Sequence, residues 1–305
     1  MSELKFTLEY PSEIPGAPDD FLLPDVVRSV ATAAETAGFS AVAVSEHPAP
    51  SAKWRNNGGH NTLDPIAALG FMAASTSTLR LLTNLIVLPF HNPYQIAKSL
   101  TSLDILSGGR LIAGVGAGYL RSEFSAVGVE FEDRAKLLDE ALGALAPIWT
   151  DPSTPLSGDG WAATGELWLQ RPVQDPHPPI WIGGNSRAAL RRVVAHGAGW
   201  MPLITPKMFA SVIRTRAIET PDRFSEILTG LRAELALTGR DPDELDIQIV
   251  LPHTDLDDAA AVREARDYLS DMRRRGATWA VIHVDGTSPE SAVDYIARAP
   301  DALFG

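Results

Sequence analysis

Eight short apolar runs alternate with eight amphipathic stretches along these 305 residues, and no glycine-rich phosphate turn follows the first run. Strands alternating with helices imply parallel pairing through helical crossovers. Eight such units in a chain of this length predict an α/β fold, a (β/α)8 TIM barrel with insertion loops. The competing doubly wound open sheet needs a glycine-rich turn after its first strand. Here the first run leads into PSEIPGAPDD (residues 11–20), prolines and acids where that turn would stand.

The first strand spans residues 5–8. The stretch 24–37 follows, with Val26, Val27, Val30, Ala33, Ala34 and Ala37 on one face, the spacing of a half-buried helix. Strands are then expected at 41–44, 79–88, 111–115, 180–182, 199–203, 246–251 and 278–284, each a run short enough for a strand and apolar enough for a buried parallel one. Helices are expected at 65–75, 93–106, 134–149, 186–195, 225–237, 258–275 and 289–298. Pro24, Pro65, Pro93 and Pro289 sit at or near helix starts, where proline is tolerated. Two stretches break the rhythm. Residues 48–62 are polar and carry Trp54, Gly58, Gly59 and His60, and residues 151–179 hold six prolines, three glycines and two tryptophans. Apolar and aromatic residues persist in both, so they read as insertions into a single domain, 1–305, rather than as linkers.

The formal charge is −12, from 26 basic and 38 acidic residues, and the pI is near 5.0. That disfavours binding to a nucleic-acid backbone, which needs a basic face. There is no cysteine, which excludes disulfides, a thiol nucleophile and thiolate metal ligands. The seven histidines lack metal-ligand spacing, so no metal site is expected. No G-x-S-x-G elbow is present. No apolar run approaches the ~20 residues of a membrane span, and the first residues do not read as a signal peptide. A cytoplasmic protein acting on a small molecule is the expectation.

Four constellations carry chemistry. Glu46 and His47 end the second strand at the rim that holds active sites in barrels. Thr83-Asn84 is a polar break inside the third apolar run, readable as a bulge or a buried amide. Gly114, Gly116 and Gly118 alternate at a strand end and strip one face of side chains, leaving room for a flat ligand or for a tight barrel corner. Last, the strand 180–182 enters Gly183-Gly184-Asn185-Ser186, where Asn185 or Ser186 caps a helix whose N-terminus suits a phosphate.

In this order the pieces resemble the bacterial luciferase-like flavin monooxygenase family, most closely its deazaflavin (coenzyme F420)-dependent branch. The resemblance is carried by residues 38–48 (GFSAVAVSEHP), 64–129 and 176–203. It implies a barrel, a homodimer, and a ring bound in the barrel mouth. Glu46 and His47 match an acidic–His pair beside the ring, with His47 as acid/base and Glu46 orienting it or contacting the cofactor. Asn84-Leu85 matches a non-prolyl cis peptide that buttresses the ring. Gly116 and Gly118 match residues beside the ring and tail, and Gly183, Gly184, Asn185 and Ser186 match the phosphate-side loop. Trp54, His60 and Tyr119 would line the substrate side. Tyr119 stands where sugar-phosphate dehydrogenases of this branch carry a glutamate, which argues against glucose-6-phosphate as substrate. The expected activity is hydride transfer between F420 and a small organic substrate. The alternatives are an FMN-dependent monooxygenase, a non-catalytic flavin-binding barrel, or a flavin-free phosphate-binding lyase or isomerase.

Overall fold

The computed structural model describes residues 3–304 except 152 and 213, and only the backbone of 209. The ends of the 1–305 span and one position of the 151–179 insertion thus lie outside the described residues. Eight parallel strands form the barrel: β1 (Lys5–Glu9), β2 (Ala41–Val44), β3 (Arg80–Thr83), β4 (Leu111–Gly116), β5 (Ile180–Gly183), β6 (Gly199–Met201), β7 (Asp246–Val250) and β8 (Trp279–Ile282). Their order runs β3-β2-β1-β8-β7-β6-β5-β4, and β3 pairs with β4 through Leu81↔Leu111 and Leu82↔Ile112, which closes the ring.

Side chains alternate across each strand, as the two-residue period requires. Ala41, Ala43, Leu82, Ile112, Trp181, Met201 and Trp279 point inward and fill the barrel. Buried Thr7 on β1 donates from Oγ1 to Gln248 Oε1 on β7 at 2.9 Å. Their neighbours Leu8, Val42, Val44, Val115, Ile182 and Ile249 belong to the larger layer between strands and helices.

The third strand is shorter than its apolar run. It stops at Thr83, turns through the Asn84–Leu85 peptide, which is cis, and resumes as Ile86–Val87 beside β4. The 48–62 insertion contains a short helix, Ala52–Asn56, whose start is capped by Ser51. The second insertion contains a two-stranded hairpin, Ser157–Gly158 with Trp161–Ala162. The helix expected from residue 225 starts earlier, as Pro221–Leu237, because Thr220 caps it and Pro221 suits its first turn. No helix among the described residues is long and apolar enough to cross a membrane.

Candidate active site

The carboxyl ends of the strands define the mouth. Its floor is Leu85. Gly116 on β4 and Gly183 on β5 face inward, and a Cβ on Gly116 would come within 2.8 Å of Leu85 Cδ1 while one on Gly183 would collide with the same side chain. The glycines therefore make room for Leu85, rather than leaving a bare shelf for a ligand. Gly118 faces Val87 and Phe124 instead. Asn84 is half-buried, and its N–H donates to the Val44 carbonyl at 2.8 Å.

Beside this floor stands His47, with its side chain 9% exposed. Its Nδ1 lies 3.2 and 3.3 Å from the two carboxylate oxygens of Glu123, itself 3% exposed. A carboxylate only accepts, so Nδ1–H donates to Glu123 and Nε2 is the nitrogen left for a ligand. An aromatic wall surrounds the imidazole: Trp54, His60 and Tyr119 have ring centroids 4.5, 5.4 and 6.1 Å away. Trp54 Nε1 donates to the Tyr119 hydroxyl at 3.2 Å, which ties the insertion loop to the β4 rim. Burial, with Glu123 nearby, raises the Tyr119 phenol, so it stays protonated at neutral pH. Burial lowers the pKa of His60, whose Nδ1–H donates to the Asn61 carbonyl at 3.1 Å, leaving a neutral ring. The structure thus brings His47, Trp54, His60 and Tyr119 into one cluster.

Glu46 departs from the expectation that it orients His47. Ala41 and Ala43 face inward on β2, so the strand period sends residue 46 the other way, with Val42 and Val44. The buried Glu46 carboxylate accepts from the Val87 N–H at 2.6 Å and stands 2.7 Å from His91 Nε2. Its place is behind the mouth, fixing the chain that leaves the cis peptide. The residue that orients His47 is Glu123, on the short helix Arg121–Ala126. The sequence signal for it was its position four residues past Tyr119 at the rim, next to the apolar Phe124.

Sequence reasoning also passed over a second acidic group on β1. His283 Nε2, one residue past β8, pairs with Glu9 at 2.8 Å. Burial works against both charges, but the pair outweighs it: Glu9 is held below the usual carboxyl range and His283 is raised. Burial, and then the neighbouring Glu9 charge, push buried Glu13 well above the usual range, although it accepts the Ser45 N–H.

Gly183–Ser186 form the opposite rim. Asn185 is buried and fully engaged: Nδ2 donates to the Leu203 and Arg216 carbonyls at 2.7 and 2.8 Å, and Oδ1 accepts from the Leu203 N–H at 3.0 Å. Its own N–H goes to Thr215 Oγ1, and that of Gly184 goes to the Met201 carbonyl. Asn185 is thus a clamp on the 203–216 loop, not a phosphate ligand. Ser186 caps the helix Arg187–His196 by accepting from Ala189 N. The donors left for an anion are the first-turn N–H groups of Arg187 and Ala188, which an α-helix leaves without internal partners. Beside them Gly184 has φ +107°, and a Cβ there would meet only Ala189 at 3.5 Å, so the approach is open. First-turn N–H groups beside an open Gly184 suit a phosphate-bearing group at this rim.

The model of the luciferase-like monooxygenase family matches residues 23–293. Among curated relatives, the chain is 30% identical over 180 residues to an FMNH2-dependent dimethylsulfone monooxygenase of Pseudomonas putida, covering 58% of this chain and 47% of that one. It is 28% identical over 213 residues to an F420-dependent glucose-6-phosphate dehydrogenase of Amycolatopsis mediterranei, covering 65% and 62%. The chain spans about half to three fifths of the length of these relatives. Among solved structures, the monooxygenase RslO1 of Streptomyces bottropensis superposes with a TM-score of 0.81 at 21% identity, over 98% of each chain.

Proposed function

As the chain belongs to the luciferase-like monooxygenase family, we propose that it is an oxidoreductase that holds F420 in the barrel mouth and serves hydride exchange with a small organic substrate. The family contains both F420- and FMNH2-dependent members among the relatives of this chain. The observation that carries the reading is the His47–Glu123 pair inside the wall of Trp54, His60 and Tyr119. When bound, the deazaflavin supplies or accepts the hydride, the chemistry no side chain provides. Hydride addition to a carbonyl leaves an alkoxide, which needs one proton at oxygen. In its doubly protonated form His47 delivers that proton from Nε2, and Glu123 at Nδ1 stabilises the charge of that form. In the reverse direction the same nitrogen takes the proton from an alcohol. Leu85 supports the ring from below, Arg187 and Ala188 N–H groups hold the phosphate, and Trp54 and Tyr119 exclude water from the reacting atoms. The proposal includes a cytoplasmic homodimer.

A second reading, an FMN-dependent monooxygenase, is favoured by the Pseudomonas relative. Equilibrium titration with F420 and FMN in both redox states decides between the two. Saturable F420 binding at least tenfold tighter than FMN is expected. Tight FMN binding with none of F420 would replace the first reading by the second.

A further inference from the structure

Three arginines from different segments meet on one ring. The guanidinium carbons of Arg121, Arg134 and Arg214 lie 4.1, 3.9 and 5.2 Å from the centroid of Phe131. Among the described residues Glu132 is the one carboxylate ion-paired with them, 2.5 Å from Arg121 and 3.8 Å from Arg134. Three guanidiniums against one carboxylate leave local positive charge in excess on a chain whose net charge is −12. Burial lowers the pKa of Arg134; Glu132 works against that, while the like charges of Arg214 and Arg121 add to it.

Its position ties it to the mouth. Phe131 packs on Phe124, ring to ring at 5.1 Å, and Phe124 lies against Gly118 at the β4 rim. On the other side, Arg214 precedes Thr215, whose hydroxyl accepts the Asn185 N–H, and Arg216, whose carbonyl accepts from Asn185 Nδ2. The cluster therefore adjoins the phosphate rim. Arg214 has φ +55°, the left-handed conformation that non-glycine residues adopt at a cost and that collects at functional loops. The Asn185 clamp holds this segment together with the Arg214 and Thr215 N–H groups, which donate to the Ser211 and Ala210 carbonyls.

We infer that Arg121, Arg134 and Arg214 seat an anionic chain that continues past the phosphate and carries more than one carboxylate. The inference rests on the F420 reading and deepens it: F420 bears a phosphodiester followed by an oligoglutamate tail, whereas FMN ends at one phosphate. Guanidinium forks match carboxylates in bidentate geometry, and mutual repulsion among the arginines is relieved when such a tail arrives. Phe131 keeps the three planar groups gathered by cation–π contact in the meantime.

The experiment is a fluorescence-polarisation titration of F420 species with no, one and several glutamates, at low and high salt. For the wild type, Kd is expected to tighten about tenfold from no glutamate to several, with the gain shrinking in high salt. Arg121→Gln/Arg134→Gln/Arg214→Gln should flatten the series, while the triple Lys variant keeps part of the slope. Should the triple variant not fold, Arg214→Gln alone, at an exposed position, should cost about threefold with the longest tail and nothing with the bare phosphodiester. A wild-type Kd that is the same for every tail length overturns the inference and leaves the F420 reading standing. Failure of every F420 species to bind, with FMN bound tightly, overturns both.

Discussion

The two ends of the barrel are built from the same eight strands, yet they treat polar groups differently. At the amino end, Asp246 accepts from Trp279 Nε1 at 2.8 Å and from Thr278 Oγ1 at 3.1 Å, and Lys5 lies 4.9 Å over the Trp279 ring. Trp279 meets Trp181 edge to face at 5.1 Å, and both are fully buried. Asp104 likewise takes the Val173 and Gln174 N–H groups and Gln174 Nε2, stitching the second insertion to the base. At the carboxyl end, His47 meets Glu123 through Nδ1 alone, burial and Glu9 raise the Glu13 carboxyl, and the first-turn N–H groups at Arg187 have no partner inside their helix. At the base the groups around Asp246 and Asp104 are paired, although the buried Trp181 Nε1 has no partner among the described residues, whereas the mouth leaves groups for chemistry.

That contrast can be broken by substitution. His47→Ala is expected to lower kcat by about 10²–10⁴, the usual worth of a positioned acid/base, while the F420 Kd moves less than about threefold; steady-state turnover beside a binding titration separates the two. At the other end, Trp279→Ala should cost about 3–5 kcal/mol in urea unfolding, since it empties a buried aromatic site and removes a donor from Asp246. Its kcat, measured on the folded fraction, should stay near wild type. A Trp279→Ala protein that unfolds like wild type would show that the base is not the stabilising end.

A smaller effect is expected at Glu35, also at the base, whose carboxylate accepts from the N–H groups of Ser77, Thr78 and Leu79. Slight burial works to raise its pKa, but the three N–H groups pull it down to about 2. A depressed carboxyl stabilises the fold above the unfolded-state value, near 4.5, and loses that contribution as pH falls toward 2. Glu35→Gln should therefore melt below wild type at pH 6, with the gap closing between pH 4.5 and 2. A gap independent of pH would contradict the assignment.

Much of this was legible in the sequence. The eight strands, the rim position of His47 and the cis Asn84–Leu85 peptide follow from apolar runs, turn residues and family resemblance. What escaped was direction. Glu46 and His47 are neighbours in sequence, but a two-residue period sends them to opposite sides of the sheet, so adjacency misassigned the orienting acid. Glu123, 76 positions from His47, is brought to it only by closure of the barrel. Asn185 was a cap candidate by type and a cofactor residue by its match to the family's phosphate-side loop, yet its amide is engaged by the loop it clamps. The alternating glycines at 114, 116 and 118 read as room for a flat ligand because composition shows the missing side chains but not Leu85, which packs against Gly116.

The measurement that bears most directly on the site is the single-turnover hydride-transfer rate of Glu123→Gln beside Glu46→Gln, each with its F420 Kd. Amidating the carboxylate that orients an acid/base imidazole puts at stake up to the ~10²–10⁴-fold worth of that group. Glu123→Gln is predicted to slow the transfer by about that factor with Kd within about threefold, and Glu46→Gln, whose carboxylate serves Val87 and His91, to slow it by less than about threefold. A Glu46→Gln protein slowed more than Glu123→Gln would contradict the pairing of His47 with Glu123.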